Sequence, residues 1–194
     1  KPAKMVSNLV VRKAISLLAE GVRDGAAARA AHDYLYAYRQ GRVSATLNIL
    51  SVDLGTKTVV ISRNSHCPVW IAGPEGLRCL DEPSQPVGIY PMTKPVITEL
   101  PLAAHLHIVV FTDGILAAGE REGKRLNLVE LLPSLLAEGN GSAEFVANGL
   151  LASALELDQG RPSDDITVVA LSLLPQAVED QTRRLSVSFP IGPL

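Results

Sequence analysis

The sequence is short of aromatics and cysteine, has no long apolar run, and shows no excess of either charge. One Trp, four Tyr and three Phe in 194 residues leave few flat rings on which bases could stack, which argues against single-stranded nucleic acid as a partner. The 18 Lys+Arg and 20 Asp+Glu give a formal charge of −2, neither the basic field of a polyanion binder nor the charge density of a disordered tail. No apolar stretch approaches the roughly 18 residues that a membrane-spanning helix needs. Cys67 and Cys79 are neither CxxC-spaced nor set in a Cys/His cluster, so a disulfide framework is excluded and a reducing, cytoplasmic compartment is expected. What is plentiful is apolar: 47% of residues are hydrophobic and 20% charged, in a length that suits one domain with its own core.

The apolar spacing changes along the chain. Met5, Val6, Leu9, Val10, Ala14, Leu17 and Leu18 recur every three or four residues and predict a helix over 4–18 ended by Gly21. A second helix is expected over 27–38, carrying Ala30, Tyr34 and Leu35 inward and stopping near Gly41. Val43, Ala45, Leu47 and Ile49 then alternate with polar residues, the period of a half-buried strand, and Asp53-Leu54-Gly55-Thr56 turns it into a hairpin with Val59 and Ile61. Strands over 68–72 and 77–80 extend this into an expected four-stranded meander.

Beyond a stretch punctuated by Pro83, Pro86, Pro91 and Pro95, strands are expected over 96–100 and 107–111. The second, apolar throughout Ile108-Val109-Val110-Phe111, reads as covered on both faces. Asn127 and Glu130 form a capping-box pattern for a helix through 136, with Pro133 predicting a break or kink. Ser142 caps a helix over 143–157 in which Gly149 is the weak point, and 166–174 is the last core strand. Antiparallel strands with helices in two groups define an α+β layered fold. The expected domain covers 1–175; a tail over 176–194 contains the alternation Leu185-Ser186-Val187-Ser188-Phe189, a possible edge strand through which a homodimer could form.

Chemistry concentrates at strand ends. Asp113 follows an apolar strand in Phe111-Thr112-Asp113-Gly114-Ile115, and Asp164-Asp165 precede another in Ser163-Asp164-Asp165-Ile166-Thr167-Val168-Val169. If those strands are neighbours, carboxylates 51 positions apart meet at one rigid rim, and oxygen-only ligation selects Mg²⁺ or Mn²⁺ over zinc. Each motif alone is also a common turn or solvated loop. His66 reads as a structural turn residue, and His105 and His107 as core or rim histidines although they would share a strand face. Ser163, Thr112 and Thr167 are expected to orient the neighbouring aspartates, and Trp70 to pack.

Taken together, Ala45-Thr46-Leu47, Val52-Asp53-Leu54, Asn64-Ser65-His66-Cys67-Pro68, Pro86-Val87-Gly88-Ile89 and the two aspartate motifs resemble, in order and spacing, the stage II sporulation protein E-like branch of the metal-dependent PPM (type 2C) serine/threonine phosphatases. The resemblance implies an antiparallel β-sandwich flanked by helices, two or more Mn²⁺ or Mg²⁺ ions at one end of it, and hydrolysis of phosphoserine or phosphothreonine by a metal-activated water. It also implies Asp113 and Asp164 as metal ligands acting in catalysis through them, Asp165 in a supporting role at best, and a phosphorylated regulator of the anti-anti-sigma (STAS) type as substrate. The chemistry is consistent: cations neutralise a phosphate dianion that would repel an anionic nucleophile.

The sequence departs from the family in one respect. The family's earlier Asp-Gly motif, whose Asp bridges the metals, has no counterpart; Asp24-Gly25 follows the first helix and cannot take the role. Lys1-Pro2-Ala3-Lys4-Met5, with no initiator Met or leader pattern, resembles the residues after that motif, so an upstream segment carrying it is expected. The alternative is a non-catalytic regulatory or binding module that keeps the phosphatase fold without a complete dinuclear site.

Overall fold

Helices that bury a stripe and strands that bury a face can share one chain only by stacking in layers. The computed structural model, which describes residues 2–175, stacks them as helices, sheet, sheet, helices. The first layer is α1 (Pro2–Ala19) and α2 (Asp24–Arg39), with Val6, Val10 and Ala14 facing Ala27, Ala28, Ala31 and Leu35. Gly21 closes α1 at φ +81°, while Gln40 and Gly41, at φ 53° and 68°, close α2 in the left-handed region. Tyr34, expected inward, is exposed instead; His32 and Ala31 take the buried stripe, because the stripe of α2 is set by small residues that let it lie close to α1.

The first sheet holds β1 (Leu47–Asp53), β2 (Thr58–Asn64) and β5 (Val96–Pro101) in the order β1-β2-β5. The second holds β3 (Val69–Gly73), β4 (Gly76–Leu80), β6 (Leu106–Phe111) and β7 (Val168–Leu173) in the order β4-β3-β6-β7. All pairings are antiparallel. The expected meander is therefore two hairpins in different sheets, and the turn after Asn64 is a crossing between them. The reason is burial: Val59 and Ile61 of β2 face Val69, Ile71 and Ile108 across the sandwich, which a flat continuous sheet would forbid. The expected strand at 43–49 starts only at Leu47; Ala45 contributes an isolated bridge to Val87.

β6 is covered on both faces, as its apolar run predicts. Leu106 and Ile108 enter the inter-sheet core, while Val109 and Phe111 pack under α4 (Leu128–Glu138) and α5 (Ala143–Leu157). Leu132 and Leu150 are fully buried there, each contributing about 1.5–3 kcal/mol of transfer free energy. Gly149, the weak point of α5 by propensity, is where the two helices meet: a methyl group there would run into the Leu135 side chain. Ser142 caps α5 through Phe145 N–H at 3.3 Å. Asn127 occupies the N-cap of α4 without a side-chain cap bond, so the capping box does not form. α4 also runs on through Pro133. Both Pro133 and Val129, whose carbonyl loses its partner, lie on the solvent side, where water can satisfy it.

Cys67 and Cys79 are free thiols. No helix among the described residues is long and apolar enough to cross a membrane. The alternating segment Leu185–Phe189 lies outside the described residues.

Candidate metal centre

Antiparallel pairing of β6 with β7, Phe111 opposite Val168, puts the end of one strand beside the start of the other. The segments bearing Asp113 and Asp164 thus meet at one rim of the second sheet. Their backbones are stitched together: Thr112 N–H donates to the Thr167 carbonyl at 3.1 Å, Thr112 Oγ1 donates to the Asp165 carbonyl at 3.1 Å, and Thr167 N–H donates to Thr112 Oγ1 at 2.9 Å. Thr112 accordingly holds the 164–167 backbone and not a carboxylate, which differs from the expected role of orienting the aspartates. Thr167 takes part through its backbone.

The glycine of Asp113-Gly114 serves this approach. A methyl group at Gly114 would stand 2.7 Å from the Asp165 carbonyl oxygen and 2.8 Å from Ile166 Cγ1, so only a residue without Cβ lets the two loops close to this distance.

Asp113 sits at the N-cap of α3 (Gly114–Ala117), yet its side chain makes no cap hydrogen bond and is 53% exposed. The helix start is served by the Asp113 carbonyl instead, which accepts from Ala117 N–H at 2.9 Å. Asp164 uses Oδ1 to accept from Asp165 N–H at 2.8 Å, leaving Oδ2 to solvent. Asp165 contributes its backbone to the stitching described above.

His66, expected as a turn residue, stands at the rim as well: its Nε2 lies 3.9 Å from Asp113 Oδ2, and the ring is 61% exposed. Cys67 lies beneath, 2% exposed; burial pushes its thiol pKa up and the Asp113 carboxylate adds to this, with the Ser65 hydroxyl acting the other way. His107 is at the opposite end of the sheet, its Nδ1 2.9 Å from Ser172 Oγ, and burial holds its imidazole below the ordinary pKa. His105 is exposed in the preceding turn. Neither belongs to the rim. Trp70 packs against the outer core.

One contributor was not legible in the sequence. Asp158, at the C-cap of α5, is 9% exposed, and its Oδ1 accepts from Gly119 N–H at 2.9 Å. Gly119 lies at φ +82° and its carbonyl accepts from Glu122 and Lys124 N–H, so this one carboxylate fastens the loop that leaves α3. Arg121 adds a bond to the Arg161 carbonyl at 3.2 Å. The segments after Asp113 and before Asp164 are thereby tied a second time. An acid at a helix C-terminus, unfavourable to the dipole, is the only local hint of that duty.

The donors suit a hard divalent ion: two carboxylates, no thiolate, and open positions for water and phosphate oxygens. Among the described residues no three His, Cys, Asp or Glu side chains converge on one point. Hollows of about 650 and 590 Å³ lie along α1 and beside α4 and α5; neither is lined by Asp113 or Asp164, which stand on an open rim.

Among solved structures, the chain is similar to the PP2C phosphatase domain with a fragment of the regulatory domain of SpoIIE from Bacillus subtilis. The TM-score is 0.69 at 18% identity, covering 86% of this chain and 48% of that one. It is also similar to the RsbU and RsbW domains of a Mycobacterium tuberculosis protein, with a TM-score of 0.67 at 19% identity, covering 86% and 46%. A third likeness is to the catalytic domain of the serine/threonine phosphatase PstP in complex with two manganese ions, with a TM-score of 0.63 at 14% identity, covering 89% and 82%. The chain thus spans about half the length of the first two and shares the PP2C phosphatase fold with all three. No curated protein matches the sequence. Residues 1–174 match the family model of Stage II sporulation protein E, and with its two aspartate loops closed on one rim of the sandwich, the chain belongs to the SpoIIE family.

Proposed function

We propose that this chain supplies the phosphatase activity of its protein, hydrolysing phosphoserine or phosphothreonine on a regulatory protein of the anti-anti-sigma (STAS) type, with Asp113 and Asp164 holding Mn²⁺ or Mg²⁺. The observation that carries the reading is the state of the Asp113 carboxylate: rigidly mounted at a strand end, unused by its own turn, and brought beside the Asp164 loop by a glycine that only this approach requires. Such ions, when bound, neutralise the phosphate and lower the pKa of a coordinated water. The residues themselves hold the two aspartate-bearing loops together through Thr112, Gly114 and the β6–β7 ladder. An open rim, in place of a closed cavity, admits a side chain presented on the surface of a folded protein. The relatives agree in kind: PstP is crystallised with two manganese ions, and the matched SpoIIE is a cell fate determinant.

The test is hydrolysis of a phosphoserine peptide by the full-length protein with Mn²⁺. Asp113→Asn and Asp164→Asn should each lower kcat/KM by about a hundredfold or more, since several kcal/mol of charge stabilisation is at stake. The thermal midpoint of Asp113→Asn should stay near wild type, because its side chain makes no hydrogen bond that the substitution would remove. Unchanged activity in both variants rejects the site. A second reading, a binding module without catalysis, is favoured by the lack of a third converging ligand among the described residues. Calorimetric titration with Mn²⁺ separates the two: heat abolished by Asp113→Asn supports the enzyme, and no heat supports the module.

A further inference from the structure

The segment between β4 and β5 carries Pro83, Pro86, Pro91 and Pro95, and its tip exposes large apolar groups: Ile89 is 37% exposed, Tyr90 48% and Met92 71%. Scattered apolar residues on a surface need no explanation, but three within four positions around a proline form a concentrated patch. The tip is held rigidly. Met92 lies at φ +64°, a conformation that costs an L side chain about 1 kcal/mol or more and that persists only where surroundings impose it. Thr93, 2% exposed, donates through Oγ1 to the Tyr90 carbonyl at 3.1 Å and so closes the turn from below. Gly88, at φ +96°, donates its N–H to His32 Nδ1 at 2.9 Å, and Val87 pairs with Ala45, which fixes the near side against α2 and β1. Burial holds His32 below the ordinary imidazole pKa, which keeps that nitrogen an acceptor.

The base of the same loop is fastened to the strand that leads to the candidate metal centre. Arg63 Nη2 donates to the Glu82 carbonyl at 2.6 Å, and Asn64 Nδ2 donates to the carbonyls of Gln85 and Lys94 at 2.9 and 3.3 Å, one at each side of the loop. Ser65 N–H donates to Ser84 Oγ at 2.9 Å, and the next residue is His66, beside Asp113. The base of this loop and the Asp113 loop therefore lie at the same end of the sandwich, connected through Ser65 and His66. A protein partner covers about 800 Å² of surface, some 20–30 residues, far more than a phosphoserine side chain touches, so a partner seated on Asp113 extends over neighbouring loops.

We infer that Ile89, Tyr90 and Met92 are the docking edge for the folded phosphoprotein substrate, the contact that separates it from a small phosphomonoester. The inference rests on the phosphatase reading for the identity of its occupant. The physical logic is that of an interface anchor: an aromatic and a methionine held in place before binding lose little entropy on contact, and binding energy gained away from the reacting centre selects one phosphoserine among many. The tip lacks charge of its own, so its contribution falls on affinity and not on the chemistry of the phosphoryl group.

The experiment compares the full-length wild type with Tyr90→Ser/Met92→Ser and with Met92→Gly. Two substrates are used with Mn²⁺, p-nitrophenyl phosphate and a serine-phosphorylated STAS domain, together with direct binding of that phosphoprotein to each protein in an Asp113→Asn background. The double variant should weaken phosphoprotein binding and raise its KM at least tenfold, with kcat/KM for p-nitrophenyl phosphate unchanged. Met92→Gly should weaken binding as well while its thermal midpoint holds or rises, because glycine accepts the left-handed φ; this separates loss of an anchor from loss of fold. Phosphoprotein binding unchanged in both variants, or a shift in oligomeric state in place of a change in affinity, overturns the docking edge and leaves the phosphatase reading intact. A wild type that hydrolyses neither substrate overturns the phosphatase reading, and one that does not bind the phosphoprotein overturns the docking edge.

Discussion

Asp53 ends β1 and Asp113 lies just past the end of β6, each next to a glycine or one residue from it, at opposite ends of the sandwich. They use their carboxylates in opposite ways. Asp53 Oδ1 accepts from Gly55 N–H at 2.7 Å and from Thr56 N–H at 3.1 Å, so its charge belongs to its own hairpin, and those N–H groups hold its carboxyl below the usual carboxylate range. Asp113 satisfies its turn through its carbonyl and keeps the carboxylate clear of its own loop, with His66 Nε2 3.9 Å from Oδ2. The glycines differ too: Gly55 meets only the Asp53 side chain, whereas Gly114 is pressed against the Asp165 backbone. The lesson is that an Asp near a glycine at a strand end is a structural turn when its carboxylate closes its own loop, and a candidate ligand when backbone closes the loop and leaves the carboxylate to groups outside it.

The comparison makes quantitative claims. Beyond the loss expected from Asp113→Asn, the largest effect should come from Gly114→Ala. The added methyl cannot displace the Asp165 carbonyl without moving the Asp164 loop, and a shift of about 1 Å in catalytic groups can cost a hundredfold in rate. Steady-state kinetics should therefore show a large fall in kcat, and full activity would mean that the approach of the two loops is irrelevant to the chemistry. Next comes Asp158→Ala, which strands the Gly119 N–H; an unpaired buried donor costs about 1–3 kcal/mol, read as a lower midpoint in chemical denaturation. Asp158→Asn, keeping an acceptor oxygen, should recover most of that loss. The smallest effect belongs to Asp53→Asn, a slight lowering of the thermal midpoint at neutral pH with activity unchanged. Because the folded-state pKa of Asp53 is depressed, its contribution is present above the ordinary carboxylate pKa and is lost as pH falls through the lower folded value, so melting curves of wild type and variant should converge in acid.

Much of this molecule was legible from short-range pattern. The helices over Pro2–Ala19 and Ala143–Leu157 follow from three- and four-residue spacing, Gly21 ends the first, and Ser142 caps the second as its type dictates. The place of Asp113 just past a strand end was legible because an apolar strand running into Asp-Gly is itself a local pattern. Tyr34 faces solvent because small residues and not the aromatic ring set the buried stripe of α2, and Asn127 takes the N-cap position of α4 without a side-chain bond to it, neither of which local spacing specifies.

The sequence by itself determined the periods and the β1–β2 and β3–β4 hairpin turns, since each depends on neighbours within about four residues along the chain. Tertiary structure alone decided that the four early strands divide between two sheets, because only packing tells a hairpin which layer covers its apolar face. It also decided that Asp113 faces the Asp164 loop across the β6–β7 ladder, and that Asp158, 45 residues beyond Asp113, fastens the loop leaving that site. Whether a carboxylate serves its own turn or stands free is likewise settled by which backbone donors the fold brings within about 3 Å of it.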